Sequence, residues 1–227
     1  MKSTLFSNIE NTGQENEAFV MQSQHMLLVN LDGSVFSKQG SMSAYQGDID
    51  FKFHGGGAGR MFKKIVTGEN LHLMECTGKG DLFLADNGAD VHIVDLENEQ
   101  LTVNSTNLLA FQESLKWDVN RIKSGVMGFV AGGLFNTTIS GTGKAAITSW
   151  GKPVVLKIDQ PTFIDSNCAL AWTSSLKVSI KSSFKAGSLI GRGSGEVFQM
   201  QFEGEGFVVV QPGEGLYSMI AMASTGR

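Results

Sequence analysis

Leu73-Met-Glu-Cys-Thr-Gly78-Lys-Gly80-Asp-Leu-Phe-Leu84 is one of three stretches in which strand-forming residues run up to a Gly-x-Gly and resume directly after it. The other two are Thr138-Ile-Ser-Gly141-Thr-Gly143-Lys-Ala-Ala-Ile147 and Met200-Gln-Phe-Glu-Gly204-Glu-Gly206-Phe-Val-Val-Val210. Gly78 and Gly141 are 63 residues apart, and so are Gly141 and Gly204. A fixed period of that length marks tandem copies of one supersecondary unit. Glycine adopts φ > 0 without a steric penalty, so Gly78, Gly80, Gly141, Gly143, Gly204 and Gly206 are expected to form tight hairpins or bulges. A phosphate-binding loop is a poor match, because such a loop opens a helix and here strand residues return at once.

A second element recurs with alternating apolar residues, which predicts strand, turn, strand. It comprises Leu28-Val-Asn-Leu-Asp32-Gly-Ser-Val-Phe36, Ile93-Val-Asp-Leu-Glu97-Asn-Glu-Gln-Leu101 and Val155-Leu-Lys-Ile-Asp159-Gln-Pro-Thr-Phe163. Asp32, Glu97 and Asp159 are expected to open the turns through local backbone hydrogen bonds. The period divides the chain into an extension 1–16, β modules 17–88, 89–151 and 152–215, and a tail 216–227. Units this short expose much of their apolar face when alone. The expectation is an all-β chain whose three modules pack with pseudo-threefold symmetry inside a ring-like homo-oligomer.

Composition agrees with strands and turns: 28 Gly, 3 Pro and 18% charged residues in a chain of 227. A net charge of −4 disfavours a dedicated nucleic-acid binder. Cys76 and Cys168 are too few for a disulfide framework, and Met1–Asn16 lacks the basic and apolar regions of a secretory signal. A cytoplasmic location is expected, and no apolar run is long enough for a membrane-spanning helix. The sequons at Asn104 and Asn136 are read as chance matches.

Val35-Phe-Ser-Lys-Gln-Gly-Ser-Met42, Thr67-Gly-Glu69, Gly80-Asp-Leu-Phe-Leu-Ala-Asp86, Leu134–Gly143 and Gly191-Arg-Gly-Ser-Gly-Glu196 through Gln211 resemble the altered-inheritance-of-mitochondria protein twenty-four family. The resemblance runs from about Glu17 to Gly215. It implies three fused modules similar to the tryptophan RNA-binding attenuation protein (TRAP), a short double-stranded β-helix or β-sandwich, assembled as trimers. It also implies a link to mitochondrial membrane organisation in the fungal member. The family has no agreed catalytic motif to transfer. Tryptophan and RNA binding belong to the distant fold relative, whose spaced basic triplet has no counterpart here.

The residues themselves point away from catalysis. His25, His54, His72 and His92 form no His-x-His or His-x-x-x-His pair, no Gly-x-Ser-x-Gly elbow occurs, and both cysteines sit in apolar strand sequence. No metal or other cofactor is expected. Trp117, Trp150 and Trp172 fall at strand positions and are expected to fill core or interface.

Three Gly-rich spacers, 54–68, 119–133 and 181–195, hold eight of the 18 basic residues and none of the 22 acidic ones. Arg60, Met61, Phe62, Lys63 and Lys64 come from the first, and Arg121, Lys123, Met127 and Phe129 from the second. Lys181, Phe184, Lys185 and Arg192 come from the third. Cationic and apolar side chains together suit an anionic membrane surface or an acidic protein partner. They also suit a packed interface with a basic rim. The expected function is a non-catalytic homo-oligomeric scaffold or binding protein, a trimer, whose spacers contact an anionic membrane surface or an acidic partner. The alternative is an RNA- or small-ligand-binding ring, by fold analogy alone.

Overall fold

The computed structural model describes residues 17–53, 73–122, 135–182 and 198–213. Among these the chain forms fourteen strands and a single 3-10 turn, Ser105–Asn107. In the first third, β1 (Phe19–Ser23) leads into β2 (Met26–Lys38), β3 (Met42–Phe53) and β4 (Leu73–Leu84). β4 lies in the middle: β2 pairs with it from Leu27↔Leu84 to Lys38↔Leu73, and β3 covers its other edge from Met42↔Leu84 to Phe53↔Met74.

The next third holds β5 (Asp90–Asn104), β6 (Leu108–Gln112), β7 (Lys116–Arg121) and β8 (Phe135–Ser149). β8 runs along β5 on one edge and along β6 and then β7 on the other. The last third is more divided, into β9 (Val154–Ile158), β10 (Thr162–Asp165), β11 (Ala169–Thr173), β12 (Lys177–Ser182), β13 (Phe198–Glu203) and β14 (Gly206–Val210). β14 lies between β9 and β11, and β13 between β10 and β12. All these pairings are antiparallel. Eleven strands join in one sheet, ordered β3-β4-β2-β6-β8-β5-β11-β14-β9 with β1 and β7 as branches, and β10-β13-β12 form a second sheet.

The Gly-x-Gly glycines have the expected positive φ, from +116° at Gly204 to +159° at Gly206, but they do not make hairpins. Gly78 and Gly80 lie inside the continuous β4, and Gly141 and Gly143 inside the continuous β8. Gly204 and Gly206 lie where the chain leaves β13 in one sheet for β14 in the other, and these two strands do not pair with each other. In β4 the physical reason is close approach of backbones. A Cβ on Gly78 would overlap the carbonyl oxygen of Asp48, and one on Gly80 that of Gln46, both on the neighbouring β3. A hairpin and a mid-strand bend both demand φ > 0, so the two share one sequence signature.

The turns expected at Asp32 and Glu97 are likewise absent. β2 continues through Gly33 (φ +124°), and β5 continues through a one-residue bulge at Asn98 (φ +58°). Only at Asp159-Gln160-Pro161 does the strand break, and proline's missing N–H at that point removes a ladder donor.

Three apolar clusters fill the interior. One gathers Phe19, Leu27, Val29, Leu82 and Leu84, a second Leu101, Val103, Phe111, Ile139 and Leu170, and a third Ile158, Trp172, Met200, Phe202 and Val208. The first borrows Leu109, Ala110 and Ala146 from the second third of the chain, and the second borrows Leu170 and Ala171 from the last, so the clusters interlock. Asn104 and Asn136 are buried, and Asn104 Nδ2 donates to the carbonyls of Ser166 and Ala169, so neither amide is presented to a glycosylation enzyme.

The glycine geometry separates strain from collision. Gly33→Ala meets open space and pays only for its backbone conformation, whereas Gly80→Ala also drives a Cβ into Gln46. Gly33→Ala is expected to lower unfolding stability by about 1 kcal/mol and Gly80→Ala by about 3 kcal/mol or more. Urea unfolding followed by fluorescence tests the order, and equal midpoints for the two variants would refute it.

Candidate assembly interface

Most of the expected cationic face, namely Arg60, Met61, Phe62, Lys63, Lys64, Lys123, Met127, Phe129, Phe184, Lys185 and Arg192, lies outside the described residues. Arg121 closes β7 with its backbone paired to Phe135, and Lys181 is exposed on β12 opposite Gln199. The strands flanking the three spacers come together in pairs, at Phe53↔Met74, Arg121↔Phe135 and Ser182↔Phe198.

What the described residues do define is a set of strand edges. The three parts of the chain are stitched together by two short antiparallel links. In the first, the second half of β2 pairs with β6 through Val35↔Gln112, Phe36↔Phe111 and Ser37↔Ala110. In the second, the end of β5 pairs with β11 through Leu101↔Thr173, Thr102↔Trp172 and Val103↔Ala171. Packing and polar contacts reinforce both. The rings of Phe36 and Phe111 stack with centroids 5.3 Å apart. Lys38 at the end of β2 binds Asp86 (2.7 Å) and the Thr106 carbonyl (2.9 Å), while Thr102 Oγ1 meets Ser174 Oγ at 2.9 Å.

Among the described residues several strands have an open edge: β7, β12 and β9, the last with Val154, Val155 and Leu156 exposed, and also β3 and β10. β3 ends the large sheet, and β10 is an outer strand of the small one. Both carry large apolar side chains into solvent: Tyr45 is 47% exposed and Phe163 52% exposed, with Met42 exposed as well. The contrast lies with side chains in matching register. Tyr45, Phe111 and Trp172 face Leu82, Ala145 and Val208, each two residues beyond the second glycine of its Gly-x-Gly. Phe111 and Trp172, on strands paired at both edges, are 0% and 2% exposed, and Trp172 also packs on Phe202 of the small sheet. Neither Tyr45 nor Phe163 stood out in the sequence. The signal was there in Ala44-Tyr-Gln, Ala110-Phe-Gln and Ala171-Trp-Thr, at spacings that miss the 63-residue period.

The titratable groups are engaged in structure. Ser149 gives its proton to the Gly151 carbonyl (2.7 Å), so His92 Nε2, 2.7 Å from Ser149 Oγ, is the donor in that pair. Burial pushes the His92 pKa below its ordinary value, against the opposing pull of Asp90. His25, on the surface, lies 3.1 Å from Asp90. Burial pushes the Cys76 thiol up, despite a contact with Ser37, which makes it a core residue without thiolate character. Trp117 packs with Phe36 and Phe111, and Trp172 lies edge-on to Phe202. A shallow recess lined by Asn98, Glu99, Ser114, Lys116 and Ser140 is polar and open. Among the described residues no three His, Cys, Asp or Glu side chains converge as a metal site, and no helix is long and apolar enough to cross a membrane.

These features define an all-β protein of antiparallel strands, with exposed apolar side chains on open sheet edges. The chain belongs to the mitochondrial biogenesis AIM24 family, whose model matches residues 19–213. No curated protein matches its sequence. It is similar in fold to the crystal structure of protein SPYM3_0169 from Streptococcus pyogenes, with a TM-score of 0.74 and 24% identity over 91% of this chain and 97% of that one.

His92 makes stability depend on pH. With its folded pKa below that of the unfolded chain, its neutral form stabilises the fold at neutral pH, and that contribution is lost as pH falls below about 6.5 through the folded value. His92→Gln keeps a donor for Ser149 without the titration. Between pH 7.5 and 5 its urea midpoint should fall less than that of the unmodified protein, and parallel curves would refute the assignment.

Proposed function

We propose that this protein is a non-catalytic scaffold or binding protein that works as a homo-oligomer, a trimer, of three TRAP-like modules, 17–88, 89–151 and 152–215. Support for three equivalent modules comes from matched pairings around the glycines. Leu31, Leu96 and Ile158 face Gly80, Gly143 and Gly206 respectively. Gln112 Oε1 accepts from the N–H of Lys144 (2.7 Å), and Thr173 Oγ1 from that of Phe207 (3.0 Å), each one residue past the second glycine. β4 is flanked by β2 and β3, and β8 by β5 on one edge and β6 and β7 on the other; in the last third the glycines join β13 and β14, each central to its own three strands.

The observation that carries the assembly reading is that open edges bear exposed apolar side chains: Tyr45 on β3, Phe163 on β10, and Val154, Val155 and Leu156 on β9. Soluble proteins cover or charge such edges, since bare backbone donors and acceptors beside apolar side chains recruit another strand. A non-catalytic role is consistent with the engagement of His92, Ser149 and Cys76 in internal contacts. Light scattering coupled to size exclusion tests the assembly. The expected mass is three times the 24.4 kDa of the chain, and a 24.4 kDa particle across the micromolar range would overturn it.

The composition of the spacers suits a second role. Eight basic residues without an acidic one, in segments flanked by paired strand ends, suit an anionic membrane surface or acidic partner, and oligomerisation multiplies that charge. Flotation with phosphatidylserine-containing vesicles should recover the protein in a salt-sensitive way. Neutral vesicles should recover less, and a variant with Arg60, Lys63 and Lys64 all changed to Gln should lose most of the difference. Equal recovery from both vesicle types would remove this role.

A further inference from the structure

The two intrachain links share one register. Val35 and Leu101, which begin them, face Cys76 and Ile139, each two residues before the first glycine of its Gly-x-Gly. In the last third the residue in that position is Thr162, which faces Phe202, two residues before Gly204. The receiving residues Gln112, Phe111 and Ala110 of the first link, and Thr173, Trp172 and Ala171 of the second, hold the positions that Gln46, Tyr45 and Ala44 hold in the first third. Two of three donor strands therefore meet two of three receiver strands within the chain. One donor, β10, and one receiver, the first half of β3, are left over.

We propose that β10 of one copy completes the series by pairing antiparallel with β3 of a second copy, in the register Thr162↔Gln46, Phe163↔Tyr45 and Ile164↔Ala44. The proposal rests on the homo-oligomer reading and adds which edges meet, in which direction and at which residues. Phe163 replaces Phe36 in the aromatic pair of the first link, and Tyr45 replaces Phe111, so the two exposed rings are counterparts of two rings already stacked inside the chain. Ala44, exposed here, corresponds to Ala110 and Ala171, both fully buried under a linking strand. The contact is heterologous: each chain offers β10 to one neighbour and β3 to another. Such contacts cover every copy of β3 and β10 only when they close into a ring. A β3-to-β3 pairing would instead leave both copies of β10 bare.

Engineered disulfides test the register. In a Cys168→Ser background, one double variant carries Tyr45→Cys with Phe163→Cys, and another carries Ala44→Cys with Ile164→Cys. Adjacent antiparallel pairs alternate between wide and narrow Cα spacing, so one of the two suits a disulfide. After mild oxidation at least one double variant should run as covalent multimers on a non-reducing gel, with each single variant staying at one chain. Phe163→Arg should shift the native particle to the mass of one chain with an unchanged β-type circular dichroism spectrum. An oligomer in which neither double variant cross-links overturns the register and leaves the homo-oligomer standing. Cross-linking by Tyr45→Cys alone means β3 meets β3, which overturns the head-to-tail arrangement. A single-chain particle for the unmodified protein overturns both readings.

Discussion

The structure depends on backbone packed against backbone where side chains would not fit. At Gly78 and Gly80 the neighbouring strand comes so near that the carbonyls of Asp48 and Gln46 occupy the space of a Cβ. Glycine there lets β4 pass through the contact with positive φ and keep its pairing on both edges. Strands that change direction without ending have two halves with different neighbours. The first half of β2 is covered by β1, and its second half is free of β1 and takes β6. β5 repeats this division, since only its final residues reach β11. The links between parts of the chain are thus a consequence of the bends.

The period of the glycines was legible because all six have φ > 0 at matching positions, although what crowds them differs: carbonyls of β3 at Gly78 and Gly80, and the side chains of Ser114 and Thr173 at Gly143 and Gly206. Their role was not, because φ > 0 is required equally by a two-residue hairpin and by a bend within a strand. What decides between them is whether the flanking residues pair with each other or with third and fourth strands, and that is a long-range fact. The acidic residues misled for a related reason. Asp32 lies in a continuous strand and reaches across to Lys79 (3.3 Å), a cross-strand contact that a turn-opening aspartate would not make. Where Pro161 follows Asp159, the break did form.

The receiving strands escaped the sequence reading because their spacing is irregular. Tyr45, Phe111 and Trp172 hold the same register position, yet the connections before them differ in length. No local feature distinguishes Ala44-Tyr-Gln from Ala110-Phe-Gln, although the first is exposed and the second buried. That difference follows strand order, since β3 ends the large sheet whereas β6 lies between β2 and β8. The segregated charge of the spacers, by contrast, is a property of composition and could be read directly.

Charge also separates the two halves of each receiving strand. The second halves carry ionic side chains: Asp48, Asp50 and Lys52 in β3, Lys116, Asp118 and Arg121 in β7, and Lys177 and Lys181 in β12. β7 and β12 are outer strands, and charged residues along an outer strand are the usual protection against unwanted pairing. The first halves, Leu108–Gln112 in β6 and Ala169–Thr173 in β11, carry no charge, and both are paired on each edge. Met42-Ser-Ala-Tyr-Gln46 follows the uncharged pattern while lying on an open edge. Its composition is that of a strand with a neighbour, and β3 turns from unprotected to protected at Gly47, the point at which a linking strand would end. A strand guarded against pairing along its whole length would have shown charged residues on both sides of that glycine. The asymmetry within one strand argues that the first half of β3 is shaped for a partner and the second half to refuse one.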